Sequence, residues 1–305
     1  MTLRKAFKPS FVLAHLLLVA LVVAIVAPGK VRVNSYIPLL VACGVIEALV
    51  LWRYFCTGKP RVSVSRVAVV DWLIMLVWEL FATDLKITHA VLVPLPENVF
   101  LVFAEKWQEL GLDVISSLTL LGEGLVAGVV AGVIIGLFVG WLPSLRETVY
   151  PIAHVLAPVP AIVFAPYLVL IMPSFSMAAA TIIFLGIFWP TLLNTILRVE
   201  SIDRNIIDSA RMLGLSPCAM IMKVLLPYMY PSFVSGLKTQ LPAAMMMLTF
   251  AEMYGAQSGL GYFIINYTNY ANYTNVVAGI IMVGVVVTIL DSFVGLLQRK
   301  TVKWR

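Results

Sequence analysis

The chain has 305 residues, 61% of them hydrophobic and only 12% charged, with a mean hydropathy of +1.00. A soluble domain is about 45–50% apolar and about 25% charged, so a soluble globular fold is excluded and the excess apolar surface has to face lipid. The formal charge of +6 does not point to nucleic acid here, because the basic residues sit at the ends of apolar runs, where they set membrane topology.

A membrane span needs about 20 mainly apolar residues to cross about 30 Å of hydrocarbon. In chain order the sequence offers eight candidates: Phe11–Ala27, Tyr36–Phe55, Val67–Leu85, Ser116–Leu142, Tyr150–Met172, Ala178–Leu197, Ser232–Tyr254 and Val276–Leu297. Met1–Pro28 has a basic start and an apolar run but no obvious small-residue cleavage site, so it reads as a retained first helix. The polar, basic linker Cys56–Arg66 sets an N-terminal helix pair (residues 1–66) apart from the remainder (residues 67–305).

The fourth span carries Gly124, Gly128, Gly132, Gly136 and Gly140, one every four residues. Such a ridge lets another helix approach closely. The fifth is interrupted by Pro151, Pro158, Pro160 and Pro166. Freed backbone groups need protein or water partners in a membrane, so this segment is expected to face the protein interior.

With the N-terminus in the cytoplasm, only Lys30, Arg32, Lys86 and Lys106 of the 21 basic residues fall outside. The positive-inside rule therefore places both termini in the cytoplasm. No Lys or Arg is expected mid-membrane, so no fixed cation marks an anion path. Cys43, Cys56 and Cys218 have neither redox nor metal-ligand spacing, and no metal site is expected.

The stretch Arg198–Pro231 is too polar to cross, and it reads as two short helices. Gly214 suits the left-handed residue that ends the first. Ser216 is a good N-cap and Pro217 a good first residue for the second. Pro227 is expected to end that helix and start the next span. Ser209 and Ala210 are small enough for another surface to approach.

The order Asp208-Ser209-Ala210, then Gly214, then Leu226-Pro227 resembles the EAA loop of ABC importer permeases, with Asp for Glu and Ser for Ala. Trp78-Glu79-Leu80, Leu95-Pro96-Glu97-Asn98-Val99, Pro158-Val159-Pro160 and the stretch Ala251–Tyr262 follow in order. Together they are similar to permeases of the nitrate/sulfonate/taurine importer family, over Val67–Arg305. The resemblance implies an all-α polytopic membrane protein of the bacterial cytoplasmic membrane, with a six-helix type I permease core after the extra N-terminal pair.

It also implies a coupling loop at 198–231 that seats Asp208, Ser209, Ala210, Gly214, Leu215, Ser216, Leu226 and Pro227 against a separate ABC ATPase. The chain has no Gly-x-x-x-x-Gly-Lys phosphate loop. It is thus expected to be a permease and not an enzyme, with ATP and Mg on the partner ATPase and no cofactor of its own. The implied partners are two ATPase subunits, a second permease copy in a homodimer, and an external substrate-binding protein. The implied solute is a nitrate-, sulfonate- or taurine-like anion, or a vitamin precursor. Ile171-Met172-Pro173-Ser174-Phe175 departs from the Phe-Gly-x-Gly-like turn of relatives, which bears on the solute.

An ionisable residue at membrane depth is a functional candidate by default. Glu123 is a candidate for the path or a dimer interface, or else for a hydrogen bond to a neighbouring helix. Glu252, with Tyr254 and Gln257, is a candidate for an outer gate or for bracing the loop after it, and Pro160 for the path. A secondary transporter driven by an ion gradient is the rival reading. It calls for a midplane relay and often an inverted repeat; the sequence offers one candidate carboxylate, Glu123, and no obvious repeat.

Overall fold

The computed structural model describes residues 8–27, 33–56, 61–84 and 92–301. The basic start, Lys30, Arg32, Lys86, residues 57–60 of the linker and the last four residues lie outside these. Among the described residues the regular structure is helical throughout.

The helices are α1 Pro9–Val26, α2 Ile37–Cys56, α3 Arg61–Glu79, α4 Pro96–Glu105, α5 Trp107–Trp141, α6 Pro143–Leu156, α7 Ala165–Ile171, α8 Phe175–Glu200, α9 Arg204–Met212, α10 Pro217–Met220, α11 Leu226–Gly255, α12 Leu260–Asn269 and α13 Tyr273–Thr301. Five of them (α1, α2, α5, α8 and α13) are long and apolar enough to cross a membrane, and α6 with Ala161–Ile171 brings the number to six if that bent pair is one span. The expected eight is not confirmed, because two further helices fall short in apolar composition. Helix α3 has Arg61, Arg66, Asp71 and Glu79 in 19 residues. Helix α11 has Lys238, Gln240 and two internal prolines.

The proline-rich fifth segment breaks between Leu156 and Ala161 with a bend of 79°. It faces inward only along its alanines: Ala153, Ala161 and Ala165 are buried, whereas Val163, Tyr167, Leu170 and Ile171 are exposed. The expectation of an interior segment thus holds for one side. Alanine lets the chain pack tightly there, and the bulky residues are left outside.

Two compact units divide the chain. The first is residues 1–110 with 266–280, and the second is residues 111–265 with 281–305. In the first, α1 packs along α3, and α2 packs on α3 and α4. Leu21 and Ile25 of α1, Leu39 and Cys43 of α2, and Ala68 and Trp72 of α3 form its core. Polar links tie it: Ser10 Oγ to Ser65 Oγ at 2.6 Å and His15 Nε2 to Glu47 Oε1 at 2.8 Å. The helix pair is therefore packed onto α3 and α4, although the linker sets it apart in sequence. Lys106 bonds Tyr267 and sits 3.4 Å from Glu109. Burial pulls its pKa down, but those two partners outweigh burial and hold it above the usual lysine value.

The second unit is built around α8. A Cβ placed on Gly124, Gly128, Gly132, Gly136 or Gly140 of α5 would lie within 3.0 Å of Ile183, Ile187, Thr191, Thr195 or Val199, respectively. The expected glycine ridge is thus a groove, and its occupant is a β-branched ridge on α8 with the same four-residue period. Backbones meet here with no side chain between them, the arrangement small residues permit in a bilayer. Leu241, Ala244, Met245 and Leu248 of α11 pack with Ile183 and Ile187 and close the main core.

Candidate functional site

Two constructions in the second unit carry the candidate residues. The first is the α9–α10 hairpin. Asp203 caps α9, its Oδ1 accepting from the Asn205 N–H at 2.9 Å. The helix ends at Met212, and Gly214 follows with φ +68. Nothing lies within 4 Å of a Cβ built on Gly214, so backbone conformation alone selects glycine there. Ser216 Oγ accepts from the Ala219 N–H at 3.3 Å, and Pro217 opens α10. The caps are thus where the sequence places them.

Pro227 departs from expectation. The helix does not end there: α10 runs through a π turn, Ile221–Leu225, directly into α11. Proline has no N–H to donate, and in an α-helix its ring strikes the carbonyl four residues back, here that of Lys223. Widening the preceding turn removes that clash and keeps the chain helical.

Side-chain placement divides the hairpin. Ala210 is buried with Leu137, Val199, Ile202, Met220, Ile221, Leu225 and Met229. The close approach its size allows is therefore to this chain's own core. Asp208, Ser209 and Ser216 are exposed, Leu215 and Leu226 are half-buried, and Met212 and Leu213 are 90% and 78% exposed. Asp208 and Arg211 face each other at 3.7 Å in the open. An exposed pair of this kind adds about 0–1 kcal/mol.

The second construction joins α5, the end of α11 and the start of α12. Glu252 is buried; Ser117 Oγ–H donates to its Oε1 at 2.7 Å and the Gly261 N–H to its Oε2 at 2.7 Å. Ser117 Oγ in turn accepts from the Leu260 N–H at 2.9 Å, and Asp113 Oδ1 accepts from the Gly259 N–H at 2.8 Å. Gly259 has φ +114, and a Cβ there would meet the Glu252 carboxyl. A Cβ on Gly261 would run into the Thr249 carbonyl oxygen. Glu252 thus ties α5 to the loop after α11 through both of its oxygens.

Beside this clamp lies a cavity of about 570 Å³ whose lining includes Glu123, Gln257 and Ser258. Tyr254 and Pro160 are exposed and are not among the residues lining it. Two further charges lie deeper in the helices than expected. Lys238 Nζ of α11 is 3.5 Å from Asp291 Oδ2 of α13, so a basic residue does lie inside a long helix, paired with an acid of its neighbour. Sequence reasoning also missed Asp113 and Ser117. Their only signal was polarity at the start of an otherwise apolar run. Asp203, a good capping residue just before α9, was the more legible omission.

Residues 128–303 match the family described as binding-protein-dependent transport system inner membrane component. TauC of Escherichia coli K12, a taurine transport system permease protein, is 26% identical over 264 residues, covering 83% of this chain and 93% of its own. SsuC of Bacillus subtilis, assigned as an aliphatic sulfonates transport permease, is 29% identical over 258 residues, covering 81% and 90%. NrtB of Synechocystis, a nitrate import permease protein, is 24% identical over 261 residues, covering 86% and 88%. In fold, the chain is similar to one in the inward-facing MetNI methionine ABC transporter, with a TM-score of 0.53 at 22% identity over 65% of this chain and 97% of that one. These matches disfavour the ion-gradient carrier. The apolar helices, the hairpin and the family match over more than half of the sequence converge: the chain belongs to the binding-protein-dependent transport system inner membrane component family, as the multi-pass permease of an ABC importer of the nitrate/sulfonate/taurine group.

Proposed function

We propose that this permease is driven by a separate ABC ATPase that docks on the α9–α10 hairpin. The observation that carries the reading is the hairpin's form: a left-handed Gly214 between two capped helices, with Asp208, Ser209, Met212 and Leu213 on its exposed side and Ala210 anchoring it from behind. Exposed apolar residues rimmed by polar ones mark an interaction surface. Gly214, Leu215, Ser216, Leu226 and Pro227 shape and support that surface.

ATP and Mg bind the partner ATPase in this reading. Two permease copies form the path, and an external binding protein delivers the solute. Both termini face the cytoplasm, and residues 1–66 add a helix pair to the permease core. The solute is small and polar, drawn from nitrate-, sulfonate- or taurine-like anions and vitamin precursors. This range rests on the solutes named for TauC, SsuC and NrtB and on the family resemblance. Glu123 and Gln257 line the path, with Pro160, Glu252 and Tyr254 near it.

The test is co-purification of the ATPase with membrane-inserted variants. Asp208→Lys reverses the charge of the exposed face, and Gly214→Pro imposes a φ near −65° where the hairpin needs a positive one. Both are expected to insert normally and lose the ATPase. Normal ATPase recovery with both would sink the docking assignment.

A further inference from the structure

The cavity beside the Glu252 clamp is lined by Ser116, Thr119, Glu123, Ser176, Gln257 and Ser258, with Leu120, Phe175 and Gly255. Glu123 is the only ionisable residue in that lining, and it makes no hydrogen bond or ion pair with another described residue. The neighbouring acids are sealed: Glu252 by Ser117 and Gly261, Asp113 by Gly259. Lys238 of α11 and Asp291 of α13 pair with each other and do not line this space.

Glu123 of α5 lies within the expected span Ser116–Leu142, about 10 Å past its first residue at 1.5 Å per residue. A carboxylate at that depth is costly unless water or a positive group meets it. It is exposed on the open side of a cavity with several hydroxyls and an amide, and it has room for both. Its field acts on any solute that enters. At 4 Å, a unit charge alters the local concentration of another about fivefold even in bulk water, and more where the dielectric is lower.

We propose that Glu123 and the hydroxyl-lined cavity form a solute subsite that takes a small molecule bearing an ammonium or amidine-type N–H group, as a zwitterion or a cation, and disfavours bare anions. The proposal rests on the reading of this cavity as part of the permease path, and it narrows the solute within that reading. Glu123 accepts the N–H group, and Ser116, Thr119, Ser176 and Gln257 supply hydrogen bonds to the rest of the molecule without trapping it.

The test uses the full chain in lipid nanodiscs, which leave both membrane faces open, with Cys43, Cys56 and Cys218 replaced by alanine. Thr119→Cys places a thiol one helical turn from Glu123. Its labelling rates with 2-aminoethyl methanethiosulfonate, a cation, and 2-sulfonatoethyl methanethiosulfonate, an anion, are compared. The cation-to-anion rate ratio is expected to fall about fivefold or more in Glu123→Gln and to fall further in Glu123→Lys.

A ratio unchanged within about twofold in Glu123→Gln overturns the proposal. So does a thiol that neither reagent reaches until the protein is denatured. Glu123→Gln is close to isosteric and decides the matter if the lysine variant does not fold. No ATPase takes part in the labelling, so failure of the docking assignment leaves this result readable, and the reverse also holds.

Discussion

Gly214 and Gly259 both occupy left-handed backbone, at φ +68 and +114, but their surroundings are opposite. Gly214 stands in open space, and the acid of its hairpin, Asp208, is exposed beside Arg211. Gly259 leaves no room for a Cβ, and the acid beside it, Glu252, is buried and bonded on both oxygens. The hairpin spends its glycine on shape and keeps its surface available. The clamp uses glycine to bring backbone against a carboxylate, and it offers nothing outward. One fold thus holds an open, exposed hairpin and a closed, buried joint.

That contrast can be broken in order of effect. Gly261→Val should cost about 3 kcal/mol or more, because its Cβ meets a backbone carbonyl that cannot step aside. Thermal unfolding in nanodiscs should show either the largest loss of the set or no folded protein. A native-like melting temperature would mean the clamp is slack.

Glu252→Ala strands the Ser117 hydroxyl and the Gly261 N–H, each bonded to it in the folded chain, and should cost about 2–3 kcal/mol. Glu252→Gln, which keeps an acceptor, should cost less. Equal losses would show that size and not bonding is what matters there.

The hairpin should respond weakly to the same measurement. Gly214→Ala strains a positive φ for about 1 kcal/mol. Asp208→Ala should stay within about 0.5 kcal/mol, because only an exposed ion pair is lost. A larger stability loss at Asp208 than at Glu252 would reverse the comparison.

Local chemistry was legible in the sequence. Gly214, Ser216 and Pro217 announce caps because a cap is decided within four or five residues. The α5 glycines announce a groove for the same reason. The α8 ridge that fills it, Ile183, Ile187, Thr191, Thr195 and Val199, has the same spacing. Only the fold pairs the two periods. The Glu252 clamp was hidden because its donor Ser117 is 135 positions away, and an isolated serine in a long apolar helix carries no local signal. Pro227 misled because a proline rule written for α-helices does not foresee a π turn that relieves the clash. Eight spans are not confirmed because α3 carries four charged residues and α11 is diluted by Lys238, Gln240 and two prolines; a charge in a bilayer helix is tolerated with a partner, and Lys238 has one in Asp291.

The π turn at Ile221–Leu225 has a mechanical result. It keeps Pro217 through Gly255 on one helical path, about 58 Å long at 1.5 Å per residue. One end of this path is the hairpin, and the other carries Glu252 and stops at Gly255, on the wall of the Glu123 cavity. A lever of that length swung by about 5° carries its far end about 5 Å, more than the width of a carboxyl group. With a proline that stopped the helix, the path would end at a joint; with the turn widened, it runs without a break from the hairpin to the wall of the cavity.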